Sequence, residues 1–306
     1  MGTIVTSSHP KLLWPGLKLI WGQMYDEHKE EYPHLFDIIE SRQAYEQMAQ
    51  IIGAGLATIK SQNAPIQYAD ETQGWVTTYS PIAYASGFIV SKEEIEDNLY
   101  EKVAAARARN LAFAMRQTME TVAAFLYNQA FNSNFYTMPD GVGLCSTSHS
   151  IAGGATLSNR LSTDANLSEV SLEDAIIMMQ NFTDDNGLQI NVKPKTLITS
   201  THEIFNAARI TKSVLQSNSA GNNINAMLAL NSIPEGAIVN HYLTSAGAFF
   251  VRSQLPPGQG MTFFMRNKPD LEMDNDDSTR NARTSSYMRF AVGATDPRAI
   301  IGSNGP

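Results

Sequence analysis

A chain of 306 residues with a single cysteine, Cys145, and a net charge of −8 excludes several classes at once. It cannot carry an intrachain disulfide framework, and it lacks the basic surface that sequence-independent nucleic-acid binding requires. No apolar run approaches the ~18 residues of a membrane span, and the lone thiol fits a reducing, intracellular setting. The length suits one large domain or two modest ones.

Residues 1 to about 35 carry Pro10, Pro15 and Gly16, which argue against a long helix. Yet Leu12, Leu13, Trp14, Leu17, Leu19, Ile20 and Trp21 are too apolar to lie in water. The stretch reads as an arm that must rest on something, either its own domain or a neighbouring subunit. Pro15, Gly16 and Lys18 also break what would be a signal peptide's apolar core. Phe36 to Gly55 holds a short amphipathic stretch and then IIGAGLA, where Gly53 and Gly55 predict a bend.

Ala57 to Val90 is extended in character. Ile66 and Tyr68 alternate with polar residues, a polar turn ends at Gly74, and Trp75 to Tyr79 is rich in β-formers. Pro81 suits an edge or a bulge. Ile82, Tyr84, Phe88, Ile89 and Val90 complete what reads as a long hairpin with little chain to cover it. A lone two-stranded hairpin is marginal in water, so its aromatic residues need a partner surface.

Ser91 to Ser133 contains neither glycine nor proline. Ser91 with Glu94 predicts a capping box. The acidic first turns and later arginines suit the helix macrodipole. Ile95, Leu99 and Val103, then Leu111, Met115, Met119, Val122, Leu126 and Ala130, keep one apolar face going. About 40 residues at ~1.5 Å each give a rod of ~60 Å. A compact globule of this length is roughly 50 Å across. The helix is therefore either kinked or the spine of a flat, elongated subunit.

Met138 to Arg160 is turn-rich, with a short strand predicted at Val142 to Cys145. Leu167 to Phe182 predicts a helix capped at Ser171 and stopped by the Asp184 to Gly187 turn. A strand at Thr196 to Thr199 and a short helix at His202 to Ile210 follow. Gln216 to Asn225 is an Asn/Ser/Gly loop. Two strands, AIVNHYL and AFFVRS, are joined by a turn at Thr244 to Gly247. This alternation predicts a compact α/β subdomain. Pro256 to Gly260 marks a boundary, and two β runs around an acidic turn close the chain.

Catalytic constellations are weak. Cys145 and His149 lie four apart and could make a nucleophile or two zinc ligands, which opens a remote reading as a Cys–His hydrolase. Sequence spacing does not establish adjacency, though, and further zinc ligands are missing. Asp270, Glu272, Asp274, Asp276 and Asp277 offer oxygen ligands without the EF-hand order, as do Asp184 and Asp185 before Gly187. Neither a Walker-type phosphate loop nor a nucleophile elbow is present. Arg280, Arg283, Arg289 and Arg298 make the C-terminal region locally basic, suited to phosphate, a neighbour's carboxylates or internal salt bridges. Neither enzymatic activity nor a cofactor is expected. What stands out is shape: a stiff helix, an uncovered hairpin, an apolar arm and an α/β lobe, whose surfaces point to an obligate assembly.

The order of elements resembles the major capsid proteins of tailed phages, specifically the Mu-like major head subunit family. The pieces that carry the resemblance are PIQYADETQGWVTTYSPIAYASGFIVSKEEIEDNLY, FTDDNGLQINVKPKTLI, IPEGAIVNHYLTSAGAFFV and RNARTSSYMRFAVGATDPRAIIGSNG. The resemblance implies an α+β fold of the Hong Kong 97 type. It implies an N-terminal arm over residues 1–40, an E-loop over 57–90 and a P-domain with the spine helix over 91–166. An A-domain over 167–255 and C-terminal P-domain strands over 256–306 complete it. Tyr68, Asp70, Glu71, Trp75 and Tyr79 would then lie on an E-loop that crosses between neighbouring copies. Trp14, Leu17 and Trp21 would lie on an arm that does the same. Asn218, Asn222 and Asn223 would face a capsomer axis.

The implied partners are copies of the chain itself, as hexamers and pentamers, enclosing double-stranded DNA by weak contact. A separate scaffold, a portal and cement proteins are further implied partners. The implied location is the virion, assembled in the host cytoplasm. No crosslinking motif surrounds Lys60. An encapsulin-like compartment shares the implied fold and is the alternative.

Overall fold

The computed structural model describes residues 14–305 apart from 51, 54, 67, 69–72, 97–99, 152–155, 217–222, 277 and 280. Helix α1 (Trp14–Glu27) opens the described chain. Pro15 and Gly16 do not prevent it, because Pro15 sits in the first turn, where a missing N–H costs nothing. Helix α2 (Tyr32–Leu35) and strand β1 (Asp37–Glu40) follow. The segment expected as an arm resting on its own domain or on a neighbour runs, from residue 14 onward, straight into a sheet of its own chain.

That sheet has the order β1-β10-β11-β4, with β4 at Ile82–Val90, β10 at Met261–Asn275 and β11 at Ala282–Ala294. β1 runs parallel to β10, and the other pairs are antiparallel. The register of β10 slips between Met265 and Asp270, where Pro269 cannot donate to the ladder. The two C-terminal runs thus pair around an acidic turn as the sequence predicts. Among the described residues of 57–90, β3 and β4 do not pair with each other as a hairpin. β3 (Val76–Tyr79) pairs with β2 (Glu46–Ala49), and β4 pairs with β11. The reason is register: β4 lays its length along β11 from Ile82↔Phe290 to Val90↔Ala282, which buries Val90 and seats Tyr84 on Phe290.

Ser91 and Glu94 exchange the capping-box bonds, each 3.2 Å, and helix α3 (Lys92–Glu96) starts there. Helix α4 runs Tyr100–Asn128. At 1.5 Å per residue α4 is about 44 Å long, and it ends at Asn128, ahead of the expected Ser133. It stops at Asn128 because the next residues form tight turns, with Ala130 N–H on the Tyr127 carbonyl and Asn132 N–H on that of Gln129. Its inner stripe is Ala104, Ala108, Leu111, Met115, Met119, Ala123 and Leu126. It packs with Phe263, Met265, Met288 and Phe290 of the sheet in one core. The alanines let the helix approach the sheet closely.

Short strands β5 (His149–Ser150) and β6 (Thr156–Leu157) replace the strand expected at Val142 to Cys145. Helix α5 (Glu169–Gln180) is capped by Ser168, three residues before the expected cap. The Ser171 hydroxyl accepts from the Ser168 N–H, taking the place a glutamate usually fills in the box. The helix ends at Gln180, and the Asp184–Gly187 turn beyond it reverses the chain, with Gly187 at φ +78.

Strand β7 (Lys193–Ser200), helices α6 (Ile204–Lys212) and α7 (Ala226–Ala229), and strands β8 (Ala237–Asn240) and β9 (Phe249–Gln254) build the second lobe. β12 (Ile300–Ser303) joins them in the order β12-β9-β7-β8. β8 and β9 do not pair with each other; they flank β7, one parallel and one antiparallel. The C-terminal run splits likewise. β11 belongs to the first sheet, and after a turn at Pro297–Ala299 β12 crosses to the second.

This second sheet joins the lobes. Leu197, Phe249, Val251 and Ile301 face a core closed by α5, α6 and α7. Their alternates Ile198, Phe250 and Ile300 face the core beneath α4, as the two-residue side-chain period of a strand requires.

Candidate assembly surfaces

Part of the described chain between β2 and β3 stands off the body of the molecule. Residues 55–63 are all exposed, with Leu56 at 79% and Ile59 at 100%. Ile66 and Tyr68 are also exposed. Their only described backbone hydrogen bond is a turn from Ala64 N–H to the Ser61 carbonyl, 3.1 Å.

The base of this projection is held firmly. Gln50 N–H donates to the Trp75 carbonyl at 2.9 Å, and the Trp75 indole donates to the Ser150 carbonyl at 3.0 Å. The Asn186 amide donates to the Gly53 carbonyl at 2.6 Å. A Cβ at Gly53 would lie 2.4 Å from the Asp184 carboxylate, so glycine lets the chain pass close against Asp184. Below this, the buried Arg298 guanidinium holds Asp185 and Asp296, each at 3.0 Å, and Asp296 accepts from Gln50 at 3.1 Å.

Of the expected E-loop residues, Tyr68 and Trp75 are exposed and Asp70 and Glu71 lie outside the described residues. Tyr79 is a correction. It is 3% exposed, its ring packs on Phe264, and its hydroxyl shares a 2.8 Å hydrogen bond with Thr295. Burial pushes the phenol well above its usual range. Tyr79 is a core residue of its own chain because β3 pairs with β2, which turns that face of the strand inward.

Two of the arm residues, Leu17 and Trp21, are corrected in the same sense. Leu17 and Trp21 are buried in the core beside α4, so the own-domain alternative holds for them, while Leu19 is exposed. Trp14 begins α1. Beyond α1, polar locks continue the attachment. Arg116 lies over the Tyr25 ring at 3.8 Å and pairs with Glu30 at 2.5 Å. The Glu120 carboxylate accepts the N–H groups of Glu31 and Tyr32, both at 2.9 Å. Burial pushes the Glu120 carboxyl up to about 7, against the two donors that favour its charged form. Nothing in the sequence pattern singles out Arg116 and Glu120 beyond their polarity on an apolar helix.

Asn218 and Asn222 lie outside the described residues. Asn223 stands at the foot of that loop, its carbonyl accepting from Gln216 N–H at 2.9 Å beside the Leu215–Ile224 bridge.

The residues considered for catalysis are used structurally. Cys145 is buried with its thiol pushed up by desolvation, and its sulfur packs where a Cβ on Gly302 would fall, 2.8 Å away. His149 turns instead to Asp140 (Nδ1 to Oδ2, 2.7 Å) and Asn159 (Nε2 to Oδ1, 3.0 Å). The Asn159 amide donates to the Leu144 and Pro297 carbonyls, so its oxygen faces His149, and Nε2 is the donor. Asp140, His149 and Asn159 stitch the turn-rich segment to the C-terminal crossing.

Among the described residues no group of three or more His, Cys, Asp or Glu is arranged for a metal. Asp276 is instead lowered to about 2 by the Ser278 hydroxyl and N–H, and it pairs with Arg283. Arg289 donates to the Pro81 carbonyl. Arg280 and Asp277 lie outside the described residues.

Solved structures share this architecture at low sequence identity. A virus-like particle protein from Pyrococcus furiosus aligns with a TM-score of 0.54 at 9% identity, covering 95% of this chain and 98% of that one. The capsid protein of cyanophage P-SCSP1u aligns at 0.53 and 9%, covering 89% and 86%. The SrpI encapsulin of Synechococcus elongatus aligns at 0.51 and 11%, covering 89% and 85%. The fold is the α+β Hong Kong 97-type capsid fold. No curated protein matches the sequence. The phage capsid protein family model matches residues 75–303, most of the chain, and the chain belongs to that family.

Proposed function

We propose that this protein is the major head subunit of a tailed, Mu-like phage. It assembles as hexamers and pentamers into an icosahedral shell around double-stranded DNA. The observation that carries the reading is the projection over residues 55–68, anchored at its base and bare at its tip, with Ile59 fully in water. An apolar tip of this kind is stable in quantity only when another surface covers it. In a shell of identical subunits that surface is a neighbour.

The negative balance of the chain keeps contact with packaged DNA weak, which suits a wall that must not trap its contents. Scaffold, portal and cement proteins are the partners such a shell would use, in the host cytoplasm before release as a virion. The subunit's own work is self-association, without an enzymatic step.

Expression of the full chain, followed by size exclusion and electron microscopy, tests this. Closed particles with fivefold and sixfold capsomers are expected; a stable monomer at high concentration would overturn the reading. An encapsulin-like compartment is the second reading, favoured by a fold similarity to the Synechococcus encapsulin close to that of the cyanophage capsid protein. A cargo protein co-purifying from the native host, in place of DNA, selects it.

A further inference from the structure

The sequence contains two Asn-Gly pairs, Asn186–Gly187 and Asn304–Gly305. In such a pair the second residue has no side chain to shield its nitrogen. That nitrogen can reach the asparagine carboxamide carbon and close a five-membered imide. The fold treats the two pairs differently. Asn186 and Gly187 are both exposed, and a Cβ on Gly187 would meet nothing within 4 Å. Gly305 is buried, and a Cβ there would meet the Gly247 backbone at 3.0 Å. Water and a moving backbone have room at the first pair and not at the second.

Asn186 and Gly187 sit in the tight turn after α5. The Gly187 N–H donates to the Asp184 carbonyl at 3.1 Å, and the Asp184 N–H donates to the Leu188 carbonyl at 2.7 Å. The Asp184 carboxylate accepts from the N–H groups of Asn186 and Leu188 at 2.9 and 2.8 Å. The reacting nitrogen is thus held by its bond to the Asp184 carbonyl. Local opening of an exposed turn costs far less than global unfolding, and it frees that nitrogen while the rest of the chain stays folded. The Asn186 carboxamide has a task of its own. Its Nδ2 donates to the Gly53 carbonyl at 2.6 Å, which ties the turn to the root of the projection.

We propose that Asn186 is a deamidation site and that its conversion unfastens the root of the projection from the turn after α5. The Gly187 nitrogen bonds to Asn186 Cγ, the bond from Cγ to the side-chain nitrogen breaks, and that nitrogen leaves as ammonia with the proton from Gly187. Water then adds to one of the two imide carbonyls. The ring opens to aspartate or, with the backbone rerouted through the side chain, to isoaspartate. Both products exchange the carboxamide donor for a carboxylate, which only accepts. The Gly53 carbonyl loses its partner. The Asp184 carboxylate already lies against Gly53, 2.4 Å from where a Cβ would stand, so the new charge adds repulsion between like groups. The Arg298 guanidinium does not offset it, being engaged by Asp185 and Asp296.

Ageing the full chain in mildly alkaline buffer tests it. Tandem mass spectrometry should place a gain of about 1 Da and isoaspartate at Asn186, and neither at Asn304. Gly187→Asn keeps a residue that tolerates positive φ but shields its nitrogen, and should slow the gain at Asn186 severalfold. Asn186→Asp should speed hydrogen exchange of the Gln50 N–H, which is bonded to the Trp75 carbonyl, roughly tenfold at unchanged melting. An intact Asn186 after roughly ten half-lives of the same pair in urea-unfolded chain, or conversion of Asn304 ahead of it, overturns the site. Exchange at Gln50 as slow in Asn186→Asp as in the wild type overturns the unfastening. Should that variant melt early, exchange is read on wild-type chain before and after conversion, and an unchanged rate overturns the unfastening in the same way.

Discussion

Residues 14–32 and residues 55–66 are both apolar segments ahead of α4, and they end in opposite places. The first lies along α4 and closes the main core with Leu17, Trp21 and Tyr32. The second reaches into solvent with Leu56, Ile59 and Ile66 uncovered. The difference lies in spacing and in polar locks. Leu17, Trp21 and Met24 recur at helical intervals and gather on one face, and Arg116 and Glu120 of α4 satisfy the carbonyl and N–H groups of the chain that follows. The described residues of the second segment form neither helix nor strand, so its apolar residues are not gathered on one face against the body of their own chain. A segment without such a face waits for a surface supplied from outside.

The comparison is broken most severely by removing the shelf under the first segment. Ala112 is fully buried at the middle of α4, and Ala112→Pro should cost ~3 kcal/mol or more, leaving no cooperative unfolding transition by circular dichroism. Trp21→Ala and Tyr79→Ala come next. Each empties a buried aromatic site and should cost about 3–5 kcal/mol in denaturant unfolding, with assembly failing only because the fold fails.

The lock at Glu120 sharpens the comparison through pH. Its carboxyl binds a proton more tightly folded than unfolded. Stability is therefore fullest below the ordinary carboxylate range and falls as pH rises from about 4.5 to about 7, by up to on the order of 3 kcal/mol. Glu120→Gln should flatten that slope in melts taken across the interval. A slope that the variant leaves intact would place the titration elsewhere.

The smallest effect on stability belongs to the projecting segment. Ile59→Ser and Leu56→Ser should change unfolding by no more than about 0.5 kcal/mol, yet suppress particle formation. A melting shift as large as that of Trp21→Ala would mean that the tip is covered within its own chain. Trp75, 40% exposed and tied to Ser150, should fall between: Trp75→Ala loosens the base and impairs assembly more than folding.

Several features were legible from local pattern. The Ser91–Glu94 capping box, the inner stripe from Leu111 to Leu126 and the two C-terminal strands around Asp276 each depend on neighbours a few residues away, so periodicity and capping chemistry suffice. Ile66 and Tyr68 were legible as needing outside cover, since little of the chain near them offers a face. Tyr79 was not. Its strand reads the same whether it pairs with β4 or with β2, and the choice decides whether the ring points to water or to Phe264. Leu17 and Trp21 likewise read as apolar on any surface, and only the position of α4 says which.

By itself the sequence determined the central helix, the helix before the Asp184 turn and the C-terminal strands, because these follow from short-range spacing, and the order of its segments carried the resemblance to an α+β capsid family. The tertiary structure decided which strands are neighbours, that β12 crosses from one lobe to the other, and which aromatic residues are core. Those outcomes turn on pairings between residues far apart in the chain, such as Tyr79 with Thr295 and Asp37 with Thr262. No local propensity encodes them, since the free energy that selects a pairing is released only when both distant partners are buried together.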